Sequence, residues 1–256
     1  MRTAGTSAKR ESHLADPHNV ADLKSRFLDG LAPSERDSIL RAATPHRFPA
    51  NSVVINQGYP ANRIFLLTMG RARHFFITED GHKILLNWLV PGDIFGGYTG
   101  LATPASYLVG TETVKDSAVL AWDRVTIRGF AAKYPRLLDN GLLIASSYIA
   151  WFLAANVALT RHPAQQRFAQ VLISLARGIG EKVPGGVELD VTNEELAHAA
   201  NVSSFTASRL LSQWEREGAV VKTRGKVLLR SPERLFAPAH VRNSGWSVAR
   251  RNGSKS

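Results

Sequence analysis

The sequence predicts an α+β protein with a β-rich N-terminal part, one long helix and a small C-terminal unit that mixes helices with a β-hairpin. Three observations predict this order. Short β-branched and aromatic runs separated by glycines occupy residues 47–122, residues 140–160 carry no charge, and capping signals followed by a hairpin pattern occupy residues 187–235. The chain has 256 residues, enough for two hydrophobic cores, because domains commonly contain about 100–150 residues.

The β-rich part follows a short helical stretch at residues 20–43 and contains five predicted strands. They lie at residues 53–55, 64–67, 72–77, 83–89 and 118–122. Glycines mark the turns between them, at Gly58, Gly70, Gly81 and Gly92. Glu79-Asp80-Gly81 is a good hairpin turn, because glycine accepts the positive φ that such turns need. Short strands at this spacing indicate an all-β sandwich or barrel.

Composition excludes several classes of function. The chain has no cysteine, which excludes disulfides, thiol nucleophiles and metal sites built on thiolates. Its eight histidines show neither i, i+4 pairing nor clustering with carboxylates, so no metal site is expected. The sequence contains no phosphate-cradling loop and no nucleophile-elbow motif. We therefore predict that the protein is not an enzyme and carries no cofactor.

Charge is concentrated toward the C-terminal end. The net charge is +11, and residues 201–256 hold 11 Lys and Arg against three acidic residues, a balance of +8. A basic end of this kind is typical of nucleic-acid-binding proteins, although a solvated tail has the same composition. Residues 236–256 are predicted to be a disordered basic tail. Residues 1–19 are predicted to be a disordered leader, since residues 1–16 lack the apolar core of a secretory signal.

The uncharged segment at residues 140–160 has two interpretations. It is long enough to span a bilayer, where about 20 apolar residues suffice. It also carries a coiled-coil seam at alternating four- and three-residue spacing: Leu138, Leu142, Ala145, Ile149, Phe152, Asn156 and Leu159. Asn156 at a core position can fix register, and Ser146 and Ser147 are unfavourable against lipid. The pattern favours a dimerisation helix without membrane contact, ended by Arg161-His162-Pro163.

A helical hairpin and a basic β-hairpin follow. Thr192 and Glu195 form a capping box before the first helix, and Asn201 suits the tight turn before the second. The second helix has an apolar stripe, formed by Ala207, Leu210, Leu211 and Trp214. A helix-turn-helix followed by a basic β-hairpin, called the wing below, predicts binding to double-stranded DNA. The residues predicted to contact it are Thr192, Ser203, Ser204, Phe205, Ser208, Arg209, Ser212, Lys222, Arg224 and Lys226.

Two stretches resemble the Crp-Fnr superfamily of regulators, which are related to the cyclic-AMP receptor protein and the fumarate-nitrate reductase regulator. The first is the glycine framework Gly58…Gly70…Gly81…Pro91-Gly92-Asp93-Ile94-Phe95-Gly96. The second is Glu195-Leu196-Ala197…Val202-Ser203-Ser204-Phe205-Thr206-Ala207-Ser208-Arg209-Leu210-Leu211. The resemblance covers roughly residues 20–235.

The resemblance implies a fold, an activity and partners. The fold is an N-terminal cyclic-nucleotide-binding-like β-roll (20–132), a long dimerisation helix (133–162) and a C-terminal winged helix-turn-helix domain (163–235). The activity is sequence-specific transcription regulation by a cytoplasmic homodimer that binds a near-palindromic operator and acts with RNA polymerase. Ser208 and Arg209 occupy base-reading positions by resemblance, with Arg209 bidentate to a guanine.

Two positions depart from the family pattern. The family usually has a glutamate that reads a cytosine where this chain has Phe205, and an aromatic ring can contact a thymine methyl instead. The preferred DNA site is therefore expected to differ. Pro163 stands where relatives often have an aspartate that caps the next helix. A proline at a helix start stiffens the joint, which implies a dimer that is competent without ligand.

The predicted sensor pocket departs further. Gly97 stands at the family's glutamate position, Tyr107 and Leu108 fall at its arginine and serine positions, and no Lys or Arg lies between Asp93 and Lys115. A buried cyclic phosphate needs a cationic partner, so the usual cyclic-nucleotide binding, cyclic AMP included, is not expected. The candidate pocket residues are Gly96, Gly97, Tyr98, Tyr107, Leu108, Trp151 and Phe152. Their aromatic rings either fill the roll as core or bind an unidentified small-molecule effector. His46, His74 and His82 lie in no haem signature.

Overall fold

The computed structural model describes Val20, residues 23–96 and residues 106–236. The predicted leader and almost all of the predicted basic tail lie outside these residues. The predicted α+β architecture is confirmed: two four-stranded sheets, a long helix, and a C-terminal unit of helices around a third four-stranded sheet.

The described residues of the N-terminal domain form eight strands in two antiparallel sheets. The strands are β1 (Thr44–Phe48), β2 (Val53–Ile55), β3 (Arg63–Met69), β4 (Ala72–Ile77), β5 (Lys83–Leu89), β6 (Ile94–Phe95), β7 (Gly110–Thr113) and β8 (Ser117–Asp123). One sheet has the order β1-β8-β3-β6 and the other β2-β7-β4-β5. The five predicted strands are all present, and the sequence patterns missed β1, β6 and β7. Gly81 has φ +83° in the predicted turn between β4 and β5.

Both faces of the first sheet are buried, which explains the continuous apolar runs in β3 and β8. Phe65 and Leu67 point into the core between the two sheets, whereas Ile64 and Leu66 point to the opposite face. That opposite face is covered by a 3₁₀ turn (Arg26–Leu28) and by helices α1 (Pro33–Arg41) and α2 (Arg124–Lys133). Trp122 is buried there, and its indole N–H donates to the Ile39 carbonyl at 2.7 Å.

The long uncharged segment forms one helix, α3 (Pro135–Arg161), of 27 residues. Proline is favourable at the first position of a helix, where its missing N–H costs nothing. By length and composition alone α3 could cross a membrane, and none of its most apolar stretch is buried in the single chain. Its first turns pack on the β domain through Leu137 and Asn140, whose side-chain amide donates to the carbonyls of Phe27 and Asp29.

The C-terminal unit contains three helices and four strands. They are α4 (Ala164–Gly178), β9 (Glu181–Val183), β10 (Gly186–Leu189), α5 (Asn193–Ala199), α6 (Ser204–Arg216), β11 (Val220–Thr223) and β12 (Lys226–Leu229), followed by a 3₁₀ turn at Pro232–Phe236. The sheet order is β11-β12-β10-β9. Phe168 of α4 stacks on Trp214 of α6 with ring centroids 5.7 Å apart, which anchors the helices on one core.

Candidate nucleic-acid interface

The predicted capping box at the start of α5 is present. The Thr192 hydroxyl accepts a hydrogen bond from the Glu195 amide at 3.2 Å, and the Glu195 carboxylate accepts one from the Thr192 amide at 2.8 Å. Asn201 has φ +49° in the turn between α5 and α6, a conformation that asparagine tolerates better than most residues. The Ser203 hydroxyl accepts from the Thr206 amide at 3.1 Å and caps α6. These caps fix where both helices begin.

Helix α6 has one buried and one open face. Ala207, Leu210, Leu211 and Trp214 are each no more than 2 % exposed. Phe205 on the other side is 79 % exposed, an unusual position for a large apolar ring, and Arg209 is also exposed. Ser204 is exposed beside them, while Ser208 and Ser212 are half-buried at the margin. Six predicted DNA-contacting residues, Ser203, Ser204, Phe205, Ser208, Arg209 and Ser212, therefore lie on or beside one face.

The wing, formed by β11, β12 and the turn between them, carries three cationic side chains that differ in their partners. Lys222 donates to the Ser212 hydroxyl at 2.9 Å and lies 3.2 Å from a Glu215 carboxylate oxygen. Lys226 pairs with Glu188 of β10 at 2.5 Å. Arg224 lies at the exposed tip. Within the described part of the chain, neither Arg224 nor Arg209 has a hydrogen-bond or ion-pair partner, so these two guanidinium groups are open to an anionic ligand.

The ion pairs of the wing also shift the pKa values of two of their members. The pKa of Glu215 is lowered by hydrogen bonds from the backbone N–H and then the side chain of Lys222. The pKa of Lys226 is raised, first by its hydrogen bond to Glu188. Both lysines are therefore already paired with carboxylates of the same domain, a pairing that the linear sequence did not indicate.

The described residues include only part of the predicted sensor pocket. Gly97 and Tyr98 lie outside the described residues. The Tyr107 hydroxyl donates to the Arg63 carbonyl at 2.9 Å and its ring packs on the inter-sheet core, which favours its interpretation as core. Leu108 is 74 % exposed. Trp151 and Phe152 contact each other edge-on with ring centroids 5.0 Å apart.

A crevice of about 200 Å³ is present between the β domain and α3. Its walls are Arg26, Asn87, Gly92, Asp93, Ile94, Ile144, Ser147, Tyr148 and Trp151. Of the predicted pocket residues that the structure describes, Trp151 lines it and Gly96, Tyr107, Leu108 and Phe152 do not. Burial raises the pKa of Tyr148 to about 12, with a further contribution from the Asp93 carboxylate. Burial also raises the pKa of Asp93, whose carboxylate accepts from the Val90 amide at 2.9 Å.

His74 is the buried imidazole of this region. It lies on β4, with Nδ1 2.9 Å from the Thr111 hydroxyl and its ring near those of Phe95 and Tyr148. Burial lowers its pKa to about 4, so the ring is neutral at pH 7. In the described segments, no three His, Asp or Glu side chains converge in a way that could hold a metal ion.

The predicted seam of α3 forms an apolar surface on the single chain. Leu138, Leu142, Ile149, Phe152 and Leu159 are all exposed, with Leu142 at 60 % and Ile149 at 69 %. The Asn156 side chain donates to the Phe152 carbonyl of its own helix at 2.9 Å. An exposed apolar strip of this kind marks a surface that interacts with a protein or a membrane.

Comparisons with known proteins match both halves of the chain. The family described as "Cyclic nucleotide-binding domain" matches residues 45–134, and the "Crp-like helix-turn-helix domain" family matches residues 166–237. The "CRP-like cAMP-activated global transcriptional regulator" of Mycobacterium tuberculosis is 24% identical over 216 residues, which is 83% of this chain and 95% of that protein. The "Cyclic AMP receptor protein" of Thermus thermophilus is 27% identical, over 80% of this chain and 93% of that protein.

Solved structures agree on the fold. The c-di-GMP responsive global regulator CLP of Xanthomonas campestris superposes with a TM-score of 0.68 at 18% identity, over 77% of this chain and 99% of that one. FixK2 of Bradyrhizobium japonicum gives 0.66 at 20% identity, over 75% and 95%. The β-roll and the C-terminal helix-turn-helix fold expected from the sequence are therefore both confirmed.

Proposed function

Because this chain belongs to the Crp-Fnr superfamily of transcription regulators, we propose that it binds a near-palindromic DNA site as a homodimer and does not use cyclic AMP as its effector. The observation that carries the proposal is the open face of α6. Phe205 and Arg209 are exposed on it, and the unpartnered Arg224 lies on the neighbouring wing. A recognition helix needs exposed side chains of this kind at the floor of the major groove.

The roles within the interface follow from side-chain chemistry. Arg209 donates two hydrogen bonds to one guanine, and Phe205 contacts a thymine methyl. Ser208 and Ser204 contact base edges or phosphates, and Thr192, Ser203 and Ser212 contact phosphates. Arg224 neutralises a phosphate directly. Lys222 and Lys226 do so after they exchange their acidic partners for phosphates. These contacts make the affinity for DNA depend on salt.

Dimerisation is supported by the exposed strip on α3. Leu138, Leu142, Ala145, Ile149, Phe152, Asn156 and Leu159 pair with the same residues of a second copy. A two-fold axis along paired α3 helices places the two α6 helices in successive major grooves, about one helical turn apart. The same burial removes the apolar strip from water. Ser146, Ser147 and Asn156 are unfavourable against lipid, which argues against the alternative of a membrane span. The proposed segments are residues 20–132 for sensing, 133–162 for pairing and 163–235 for DNA binding.

An unidentified small molecule remains the proposed effector, if the β-roll uses one. The absence of Lys and Arg between Asp93 and Lys115 supports the exclusion of cyclic AMP, although relatives carry "cAMP-activated" in their names. Calorimetric titration with cyclic AMP and cyclic GMP tests this. We expect no heat of binding up to millimolar nucleotide, and saturable micromolar binding would contradict it.

We further propose that the protein acts in the cytoplasm together with RNA polymerase and catalyses no reaction.

The decisive experiment is a selection from a random duplex library with purified protein and no effector. Enrichment of a two-fold-symmetric site with half-sites about one turn apart supports the proposal. The matched variant is Arg209→Ala, which should broaden one position of each half-site. Weak, salt-sensitive and unsymmetric binding by the wild-type protein would contradict a ligand-independent regulator. Solubility without detergent is the companion test against the membrane alternative.

A further inference from the structure

An ion-pair cluster joins the β-roll to the first helix of the helix-turn-helix. Arg73 of β4 donates from Nε to Glu112 of β7 at 2.7 Å and from Nη1 to Glu195 of α5 at 2.8 Å. Lys83 of β5 also pairs with Glu112. The cluster thus connects three strands of one domain to the capping residue of the other.

A second contact lies beside the first. Arg71 donates from Nη1 to the Asp190 carbonyl at 2.6 Å, and Lys115 pairs with the Asp190 carboxylate. Trp88 of β5 also packs against the apolar core of the C-terminal unit. The β-roll contributes mainly cations and the C-terminal unit contributes carboxylates, so the two surfaces are complementary in charge.

The Arg73–Glu195 pair is protected from solvent. The two side chains are 24 % and 15 % exposed, and Glu112 beside them is 9 % exposed. Partly buried pairs are screened less by salt than surface pairs. Burial opposes ionisation of Glu112, yet the hydrogen bonds from Lys83 and Arg73 outweigh it and lower its pKa. Arg73 is therefore held on both sides by carboxylates.

Glu195 links this contact directly to the N-terminus of α5, the first helix of the helix-turn-helix. One of its carboxylate oxygens receives Arg73 and the other receives the Thr192 amide at the N-terminus of α5. Helix α5 in turn packs on α6, with Asn193 donating to the Ser208 hydroxyl at 3.4 Å. The open face of α6 stays free in this arrangement, since Phe205 is 79 % exposed. The contact positions the recognition helix and does not cover it.

We propose that Arg73 and Glu195 are positioning residues for DNA binding, whose ion pair fixes the helix-turn-helix against the β-roll of the same chain without any ligand. This inference rests on the proposed function. It gives a physical basis for ligand-independent competence at a joint that already contains Pro163, the residue preceding α4. The orientation of α6 is set by the charge cluster, and loss of the pair releases the domain into a broader range of orientations.

The test uses Glu195→Gln, because glutamine keeps the capping hydrogen bond and removes the charge. Apparent affinity scales with the fraction of competent orientations, so a fall of that fraction to a tenth lowers affinity about tenfold. We expect such a fall for Glu195→Gln and for Arg73→Gln, with an unchanged half-site preference. The double variant should lose no more than about twofold beyond the weaker-binding single variant, because both act through one contact. The control Arg41→Gln breaks an exposed pair with Asp37 on α1 and should bind like wild type.

A second readout does not depend on DNA. The chain has no cysteine, so spin labels can be placed at Val125→Cys and Lys182→Cys, both exposed and in different domains. With labelled chains diluted into unlabelled protein, wild type should give one narrow distance and Glu195→Gln a broad distribution at unchanged melting temperature. Wild-type affinity in Glu195→Gln, higher affinity, or an unchanged narrow distance would overturn the inference. Failure of the wild type to bind any duplex would overturn the proposed function. The distance measurement would still show whether the ion pair fixes the orientation of the two domains.

Discussion

Lys222 of the wing donates a 2.9 Å hydrogen bond to the Ser212 hydroxyl of α6. The same ammonium group lies beside Glu215, so the wing is tied to the recognition helix by a cation that is already neutralised. Arg224 at the wing tip has no partner among the described residues. The two cations therefore differ in what they can offer to a phosphate.

The first prediction compares these two cations. Arg224→Ala should weaken binding to all sequences alike and reduce the slope of log affinity against log salt by about 1, as expected for one lost phosphate contact. Lys222→Ala should reduce the slope by less, because Lys222 releases an internal carboxylate when it moves to DNA. Fluorescence anisotropy across a salt series measures both slopes. Equal slopes for the two variants would show that Lys222 is free in solution.

The second prediction concerns base reading by Arg209. Arg209→Ala should lose about 1–3 kcal/mol of discrimination at one base pair of each half-site. Competition between the selected site and its single-base variants measures this loss. Arg216→Ala, at the exposed end of the same helix, is the matched control and should leave discrimination unchanged. An unaltered preference in Arg209→Ala would move base reading to another part of the chain.

The third prediction concerns Phe205. Because its ring is 79 % exposed, Phe205→Ala should change the free energy of unfolding by less than about 0.5 kcal/mol. It should nevertheless weaken the preference for thymine at one position of the half-site. Phe205→Glu should replace that preference with one for cytosine, since a carboxylate accepts a hydrogen bond from the cytosine amino group. Repeating the library selection with both variants measures the change, and an identical selected site would place Phe205 outside the interface.

Local patterns predicted the parts of the fold that depend on neighbours in sequence. The turn at Gly81 and the cap at Thr192 each involve residues within four positions of one another, and both are present. The hairpin of β9 and β10 was not predicted. Gly186 sits against the Leu229 carbonyl, where a Cβ would come within 2.2 Å, and this close approach across the sheet is set by tertiary packing.

The candidate site residues show the same difference between features set by nearby sequence and features set by tertiary packing. Periodicity placed Phe205 and Arg209 on the open face of α6, which is what the structure has. It could not place the partners of Lys226 and Arg73, because Glu188 and Glu195 are 38 and 122 residues away in sequence. The crevice was missed for the same reason: Arg26 reaches Ser147 across 121 residues.

The fourth prediction concerns His74 and acid stability. Its pKa is lowered from 6.5 to about 4 in the folded protein by burial, so the unfolded chain binds the proton first as pH falls. Folded-state stability from this residue is complete above pH 6.5 and is lost progressively toward pH 4, by roughly 3 kcal/mol in total. Chemical denaturation between pH 7 and pH 4 should show a smaller loss in His74→Gln than in wild type. An equal loss of stability in His74→Gln and in wild type would contradict this assignment.

The last prediction concerns the seam of α3. Ile149→Glu places a charge on a residue that is 69 % exposed in the single chain, so the fold should persist while pairing is lost. Ser146→Glu adds the same charge on the same helix outside the seam and should remain dimeric. Pairing makes the second half-site contact intramolecular, an advantage of about 100-fold or more that the monomer would lose. Sedimentation velocity and operator binding measure the two consequences together. A dimeric Ile149→Glu would assign pairing to another surface, and a monomeric variant with full operator affinity would contradict the two-fold mode of binding.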